Sequence, residues 1–512
     1  MTSGAQILRM CEAMPKTSLY DKTPRLRIEG ISNCAWRGYE AVAAELKEAV
    51  LRHGGRKTVL AVDCYEGVRE REVLPALINA LAPAAVVRTD DALPAAETLE
   101  NMLRLHLTDD RVFGILCHYP IESFFDPHKW RQLQEEVRDC PDGLVLVYGT
   151  GAALLAKPDI LVYADMARWE IQQRFRSGEL ANWCADNRGQ DPQLQYKRSF
   201  FINWRVLDRH KKDLLSKLDY LLDTNARDDP KLLAGDALRE GWRQAVRRPF
   251  RLVPYFDPGI WGGQWMKAVC GLDPEKPNYA WCFDCVPEEN SLLFQADGAT
   301  VETPAVDLVF AQPEALLGER VHARFGAEFP IRFDLLDTMG GGNLSLQVHP
   351  LTEYIQDVFG MHYTQDESYY ILDAEENASI YLGVKEGVKP EQLIPALEQA
   401  QKTGRFDAER FVNRLPAGKH DHFLIPGGTV HCSGAGTMVL EISATPYIFT
   451  FKLWDWGRLG MDGRPRSVHI GHGAKNIRFE RDTAFVRSQL AGQARQVAEG
   501  DGWTEEVTGL QE

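Results

Sequence analysis

Short apolar runs alternate with helical periodicity along the first 160 residues. Residues 57–63 (KTVLAVD) form a β-rich apolar run, and the apolar positions of residues 73–81 then recur with helical spacing. Further predicted elements are strands at 112–117, 144–148 and 160–163 and a helix at 127–138. Strands that alternate with helices are typical of an α/β domain with a largely parallel sheet. We therefore predict such a domain for this part of the chain.

Helical periodicity continues to the end of the first half. It extends over residues 167–244 and includes long charged stretches such as 208–223. Residues 225–230 (NARDDP) predict a loop. A helical segment is therefore expected to close the first domain.

A linker-like segment separates the two halves. Residues 247–263 (RRPFRLVPYFDPGIWGG) are rich in proline, glycine and aromatic side chains. This change in composition predicts a domain boundary near residue 246, with one domain at 1–246 and a second at 247–512.

The second half carries short strand-like runs at close spacing. Turn signals such as GGGN at 340–343 and PGG at 426–428 separate them, and a helical insert is predicted at 391–403. The predicted strands are 333–336, 344–348, 368–372, 379–384, 423–425, 438–442 and 448–453. This pattern predicts a β-sandwich or a barrel.

Composition narrows the function classes. The chain of 512 residues has 58 Lys and Arg against 73 Asp and Glu, a formal net charge of −15, which argues against nucleic-acid or anionic-membrane partners. The longest apolar stretch, 144–156, is too short and too interrupted to span a membrane. The first 30 residues lack the apolar core of a signal peptide, and the ten cysteines have no disulfide-framework spacing. We expect a cytoplasmic protein with reduced thiols that acts on a small molecule; a homo-oligomeric state stays open.

Four polar residues on predicted strands have the spacing of a metal site. Gln347 and His349 are two apart in LSLQVHP, so both side chains point to one face of a strand. Glu367 begins the strand ESYYIL, and His431 follows the tight turn of PGGTVH. Neighbouring strands of one barrel could bring these four together. Oxygen and imidazole ligands with one open position are typical of a catalytic Zn²⁺ site.

These segments resemble a known family. LSLQVHP, ESYYILDAEENASIYLGV, LIPGGTVHCSGAGTMVLEIS and LWDWGRLGMDGRPR, together with PGIWGGQWM at 258–266, are similar in sequence and order to motifs of the class I mannose-6-phosphate isomerases. The resemblance covers residues from about 250 to 475. It implies a cupin (jelly-roll) domain with Gln347, His349, Glu367 and His431 as zinc ligands.

The resemblance also implies a chemistry. Its reaction is an aldose to ketose isomerisation through an enediol, converting mannose 6-phosphate or a related sugar to the ketose, with a Lewis acid near the two oxygens and a general base that moves the proton. Glu441 matches the family's suspected base. Lys452 falls where the family has a catalytic arginine. The resemblance further implies substrate contacts from Arg332, Arg458 and Trp261.

Two departures from the family pattern bear on the substrate. A family lysine that precedes the zinc motif falls on Asp334, and the family's Ser-Ala-His-Pro segment corresponds to residues 284–287, Asp-Cys-Val-Pro. Lysine at position 452 keeps the charge of arginine but lacks its bidentate fork. The sugar, phosphorylated or free, is therefore open. The alternative is a sugar-binding regulatory protein with no isomerase activity.

The first half has a resemblance of its own. KTVLAVDCYEGV lies where a phosphate-binding loop would follow the first strand, and VYGTGAALL, DILVYADM and FFINWRVLDRHK resemble parts of uridine-kinase-like P-loop proteins. The segment 63–68 has one glycine, Gly67, and no Gly-Lys-Ser/Thr. Without that lysine and hydroxyl, phosphoryl transfer loses most of its electrostatic stabilisation. We expect a non-catalytic, kinase-like domain that could still bind a nucleotide or a sugar; a kinase fused to an isomerase is the remaining alternative.

Overall fold

The structure is a computed structural model that describes residues 18–444, 448–461, 463 and 466–507. The chain divides into two compact units. The N-terminal unit consists of Thr23–Val253 and Pro287–Phe329, and the C-terminal unit consists of Pro254–Val286, the described residues from Pro330 onward and residues 18–22. Among the described residues, no helix is long and apolar enough to cross a membrane.

Twenty-three strands occur in the described residues. Those before residue 254 are β1 (Arg25–Arg27), β2 (Ala35–Arg37), β3 (Lys57–Cys64), β4 (Ala85–Arg88), β5 (Gly143–Gly149), β6 (Ile160–Asp165), β7 (Tyr220–Asp223) and β8 (Lys231–Ala234). Those after it are β9 (Tyr255–Asp257), β10 (Trp281–Cys285), β11 (Ser291–Ala296), β12 (Ala299–Pro304), β13 (Arg332–Asp337), β14 (Leu346–Val348), β15 (Asp366–Ala374), β16 (Ser379–Val384), β17 (Val412–Pro416), β18 (His422–Ile425), β19 (His431–Ser433), β20 (Thr437–Ala444), β21 (Phe451–Trp454), β22 (Arg495–Gly500) and β23 (Trp503–Val507).

The longer helices lie mainly in the N-terminal unit. They are α1 (Tyr39–His53), α2 (Glu70–Leu81), α3 (Ala96–Leu107), α4 (Pro127–Asp139), α5 (Arg168–Arg176), α6 (Pro192–Arg198), α7 (Trp204–Leu214), α8 (Gly235–Ala245), α9 (Ala305–Ala311), α10 (Glu319–Phe325), α11 (Thr352–Phe359) and α12 (Pro390–Thr403). Short helical segments are Thr89–Ala92, Ile121–Phe124, Ala152–Leu155, Ser199–Asn203, Trp265–Val269, Pro313–Leu317, Ala408–Phe411, Ile470–Ala474, Thr483–Phe485 and Val486–Leu490.

A seven-stranded sheet forms the centre of the N-terminal unit. Its order is β2-β8-β7-β6-β3-β5-β4, and the five strands from β7 to β4 run parallel. Strands β8 and β2 are added antiparallel at one edge. Apolar side chains of β3, β5 and β6 pack against α1 and α2 to form a buried cluster, with Leu60, Val62 and Leu46 fully buried. The predicted α/β domain with a largely parallel sheet is confirmed.

Two details of that prediction are wrong. Residues 112–117 are not a strand, because the amides of Ile115 and Cys117 donate to the carbonyls of His106 and Phe201 in helical segments instead of to a neighbouring strand. Residues 167–244 are not wholly helical, since β7 and β8 lie within them. Pairing of β7 with β6 overrides the helical periodicity there, and the predicted loop at 225–230 is the turn of the β7–β8 hairpin.

The unit boundaries also differ from the predicted division at residue 246. The chain leaves the N-terminal unit at Val253 and returns to it for Pro287–Phe329. This return segment pairs β11 in parallel with β1, and its Asp307 contacts Lys211. The long-range pairing explains why a local change in composition could not locate the boundaries.

The C-terminal unit contains two antiparallel sheets. One has the order β18-β15-β20-β13-β10-β9 and the other β17-β16-β19-β14-β21. Their inner faces meet, because His431 on β19 contacts Glu367 on β15. A double-sheet arrangement of this kind matches the β-sandwich or jelly roll predicted for the second half. The helix predicted at 391–403 is confirmed as α12.

A buried ion cluster stabilises the N-terminal unit. The Lys211 ammonium donates to Asp165 at 2.7 Å and to Asp307 at 3.1 Å, and all three side chains are almost fully buried. Burial and the neighbouring charge of Asp165 raise the pKa of Asp307 well above its usual range. The lysine therefore compensates two carboxylates that water cannot reach.

Replacement of this lysine should destabilise the protein strongly. We expect Lys211→Met to lower the free energy of unfolding of the N-terminal unit by about 3–5 kcal/mol, because it leaves buried carboxylates uncompensated. Denaturant unfolding of the full chain measures the change. The neighbouring exposed residue provides the control, since Lys212→Met should change stability by less than about 0.5 kcal/mol. Equal effects of the two substitutions would contradict the role given to Lys211.

Candidate metal centre

The four residues predicted to bind metal lie on the facing inner surfaces of the two C-terminal sheets. Gln347 on β14 is paired directly with His431 on β19. His349 follows β14, and Glu367 lies near the start of β15 in the other sheet. Directly paired residues of antiparallel strands point to the same face, so Gln347 and His431 both face the interior.

These side chains form one buried cluster. The Glu367 carboxylate lies 2.8 Å from His431 Nε2 through Oε1 and 3.1 Å from His349 Nε2 through Oε2. Gln347 Nε2 is 3.2 Å from His431 Nε2. One ligand atom from each of His349, Glu367 and His431 lies within 4.8 Å of the others. The structure thus brings the four side chains together, and their role as metal ligands stays a prediction.

Backbone carbonyls set the orientation of both imidazoles. His431 Nδ1 lies 2.9 Å from the carbonyl of Thr429, and His349 Nδ1 lies 3.2 Å from that of Phe449. When Nδ1 carries the proton and donates it there, the lone pair of each Nε2 points toward Glu367. This outer hydrogen bond is the usual support of a metal-binding histidine.

Electrostatics favour an ionised carboxylate in the cluster. Burial alone would raise the pKa of Glu367, but the two adjacent histidines hold it well below its usual range. The pKa of His349 is raised, because the charge of Glu367 outweighs the opposing effect of burial. A pair of imidazoles around one buried carboxylate therefore forms a charged group in a dry interior.

The donor set fits a divalent metal ion. His349 Nε2 and Glu367 Oε1 are buried and make no hydrogen bond of standard geometry to any described residue, although each lies at ion-pair distance from its neighbour. A half-turn of the Gln347 amide would place its oxygen toward the cluster. Two imidazole nitrogens and two oxygens match the ligands that Zn²⁺ prefers.

Two more carboxyl groups lie beside the cluster. Glu441 on β20 is paired with Asp334 on β13 and with Tyr369 on β15. Burial, together with the charge of Asp334, raises the pKa of Glu441 well above its usual range. Burial and the charge of Glu367 do the same to Asp334. The sequence-predicted base is thus a buried acid next to the ligand shell.

Sequence reasoning missed Gln365 as a residue of this site. Its amide donates to Glu367 Oε2 at 2.8 Å and to Glu441 Oε1 at 3.2 Å, so it joins the ligand to the candidate base. The two-residue spacing from Glu367 was an available signal, because alternate strand residues share a face.

The predicted substrate residues fall into two groups. Lys452 is paired with Gln347, and Arg332 is paired with Ser443, which is itself paired with Glu367. These pairings place Lys452 and Arg332 on the same faces as the ligands.

Arg458 and Trp261 lie outside the ligand cluster. Arg458 forms an ion pair with Asp455. Burial raises the pKa of the nearby Cys432 thiol, and the charge of Arg458 only partly opposes this effect. Cys432 follows His431 on its strand, so its side chain points away from the cluster. The Trp261 ring is fully buried, with its centroid 4.6 Å from that of Trp281. This contact is a packing contact.

A C-terminal segment, residues 476–481, forms hydrogen bonds with the loops next to the two histidines. Arg481 Nη1 donates to the carbonyls of Pro426 (2.8 Å) and Gly427 (2.6 Å) and to Thr429 Oγ1 (2.6 Å). Asn476 Oδ1 accepts from the amide of Leu351, two residues after His349. No local pattern could have identified these residues, because they act across more than 50 positions of sequence.

The fold and the site together define a two-sheet β domain with a buried cluster of histidine and carboxylate side chains. The chain is 29% identical over 227 residues, 44% of its length, to the mannose-6-phosphate isomerase of Streptococcus mutans, and 31% identical over 223 residues, 43% of its length, to the mannose-6-phosphate isomerase ManA of Bacillus subtilis. It spans about two thirds of these relatives, 66% and 65% of their lengths.

The other comparisons concern the fold and the first half. A crystal structure of the mannose 6-phosphate isomerase from Bacillus subtilis superposes with a TM-score of 0.42 at 21% identity, covering 51% of this chain and 76% of that one. Residues 38–247 match a family model described as a domain of unknown function, DUF8485.

The Arg481 contacts lead to a test of the metal centre. We expect Arg481→Gln to weaken divalent-metal binding by about 10- to 100-fold, because it frees the loop whose Thr429 carbonyl orients His431. Competition with a chromophoric chelator measures the affinity for Zn²⁺. The exposed Arg487→Gln is the matched control and should bind as the unaltered protein does. Unchanged affinity in Arg481→Gln would show that the segment has no positioning role.

Proposed function

We propose that the C-terminal unit is a zinc-dependent aldose–ketose isomerase of the mannose-6-phosphate isomerase type, acting in the cytoplasm. The observation that carries the proposal is the convergence of His349, Glu367 and His431, with Gln347 beside them and the carboxyl group of Glu441 one strand away. The names of the curated relatives support the same reaction class. Nine described cysteines are free thiols, in keeping with a reducing compartment.

The reaction moves one proton between two adjacent carbons. The base removes the proton from C2 of the aldose, the electrons of that C–H bond form the C1–C2 double bond, and O1 gains a proton to give the enediol. The proton of the O2 hydroxyl then leaves as the C2–O2 double bond forms, and C1 takes up the proton that the base holds. We assign this proton transfer to Glu441, which is buried and therefore shielded from exchange with bulk water. A bound zinc ion would supply Lewis-acid stabilisation of the charge on O1 and O2.

The remaining residues bind and orient the sugar. Lys452 and Arg332 provide positive charge on the two inner faces, and Gln365 holds the Glu441 carboxyl group in place by its hydrogen bond. Asp334, in the position of a family lysine, places a carboxyl group next to the base. The substrate is accordingly mannose 6-phosphate or a related aldose.

A second candidate function follows from the same departures. Asp334 replaces a family lysine and Lys452 replaces a family arginine, and such changes suit a protein that binds sugar and reports on it without turnover. In that case the first half would be a non-catalytic, kinase-like domain, and the chain as a whole would be a sensor.

The base assignment is tested directly. We expect the full chain loaded with Zn²⁺ to convert mannose 6-phosphate or a related aldose to the ketose, and Glu441→Gln to lower turnover by about 10²- to 10⁴-fold with metal content unchanged. A coupled assay with and without chelator measures both. The exposed Glu398→Gln is the control. Full activity in Glu441→Gln would remove Glu441 from the chemistry.

A substitution at Lys452 distinguishes the isomerase hypothesis from the sensor hypothesis. Lys452→Arg restores the bidentate fork of the family pattern and should raise a weak isomerase turnover several-fold. In a protein that only binds sugar, the substitution leaves turnover at background, as measured in the same assay. That second result, found across a panel of aldoses, would favour the sensor.

A further inference from the structure

A cavity of about 450 Å³ lies in the N-terminal unit, separate from the metal centre. It opens at the carboxyl ends of the parallel strands β3 and β5, next to Cys64 and Tyr148, and is closed by the segment 180–186. Open α/β sheets bind their ligands at this edge. The volume lies in the range of about 300–1,000 Å³ usual for small-molecule sites.

Carboxylates of the chain itself accept hydrogen bonds from the donors that would bind a phosphate at this edge. Asp63 accepts hydrogen bonds from the amides of Gly151 (3.1 Å) and Ala153 (2.9 Å), which follow β5. Glu66, in the turn after β3, accepts from Ser199 Oγ at 2.7 Å and from Asn203 Nδ2 at 2.6 Å. Backbone and side-chain donors that could cradle an anion are therefore already used.

The charge of the cavity wall also opposes an anion. Four carboxyl groups line it against a single guanidinium, that of Arg188; they belong to Glu66, Glu70, Asp90 and Asp186. This excess of acidic groups repels phosphate and carboxylate groups. The cavity thus selects a ligand without negative charge.

Unused hydrogen-bonding groups face the cavity. The hydroxyl of Tyr148 and the indole N–H of Trp183 are buried and make no hydrogen bond of standard geometry to any described residue. The exposed Asp90 carboxylate on the cavity wall offers hydrogen-bond acceptors. Burial of unpaired donors costs free energy unless a ligand or water pairs with them.

Trp183 lies on the cavity wall. Its ring stacks on the buried Phe124 behind the wall, with centroids 4.9 Å apart and an interplanar angle of 29°, and this contact fixes its orientation. Ligand hydroxyls can accept from Tyr148 and Trp183 while donating to Asp90, and the C–H face of a ring can rest on apolar surface. We propose that this cavity is a binding site for an uncharged polyhydroxylated molecule, such as an unphosphorylated sugar.

Calorimetric titration of the full chain with mannose, fructose and mannose 6-phosphate tests the site. It is carried out with chelator and in a His349→Ala background, so that the metal centre does not contribute. We expect at least one free sugar to bind, and mannose 6-phosphate to bind at least about tenfold more weakly. Tyr148→Phe and Trp183→Phe should each weaken the free sugar by at least about fivefold.

Two further variants keep the test decisive. Tyr119→Phe, a partly exposed tyrosine outside the cavity, is the matched control and should bind normally. Asp90→Ala changes an exposed side chain, so it should fold normally and still weaken binding. No binding by any free sugar at saturating concentration, unchanged affinity in all three cavity variants, or mannose 6-phosphate binding that is tighter than that of a free sugar and is weakened by these variants would each overturn the proposal. Mannose 6-phosphate bound by the C-terminal unit is distinguished because the cavity variants leave its affinity unchanged.

Discussion

The C-terminal unit is organised around one buried carboxylate. Glu367 lies between two imidazoles that come from the opposite sheet, and burial would neutralise it without them. This arrangement demands that both sheets hold their register to within a residue, since a shift of one would turn Gln347 and His431 away from the interior. It also demands loops that do not move, which Arg481 and Asn476 provide from a distant part of the chain. The same convergence of nitrogen and oxygen donors gives the metal centre its chemistry.

In the N-terminal unit, buried carboxylates lie at the carboxyl edge of the parallel sheet. Its parallel sheet ends in carboxylates that accept the donors around the first strand–helix turn, where a phosphate-binding loop would offer them to a ligand. Lys211 compensates a further pair of buried carboxylates. Carboxylates of the chain itself thus accept the hydrogen bonds available at this edge of the sheet. The cavity beside them therefore favours a ligand with uncharged hydroxyl groups.

Period and spacing predicted much of both units. The alternating apolar runs gave β3, β5 and β6, and the strands of the second half were found because their turns carry glycine and proline. The four candidate ligands could be named because all of them lie on or next to strand or turn signals and the motifs resemble a family. Residues 112–117 were misassigned, since an isolated apolar run cannot reveal that its partners are helical. Strand β7 was missed because the sequence around it has a charged helical pattern. The segment Pro287–Phe329 pairs with the first unit through strands that are remote in sequence, which a local pattern cannot show. Arg481 acts through backbone carbonyls, and no sequence pattern encodes such contacts.

X-ray absorption at the zinc edge of the purified full chain, combined with elemental analysis, tests the central claim most directly. The account predicts about one zinc per chain, bound only by nitrogen and oxygen at about 2.0–2.2 Å, with the imidazole signal reduced in His431→Ala. Protein that retains no metal after loading, or a zinc ion with sulfur ligands, would contradict the assignment of Gln347, His349, Glu367 and His431 as the metal centre.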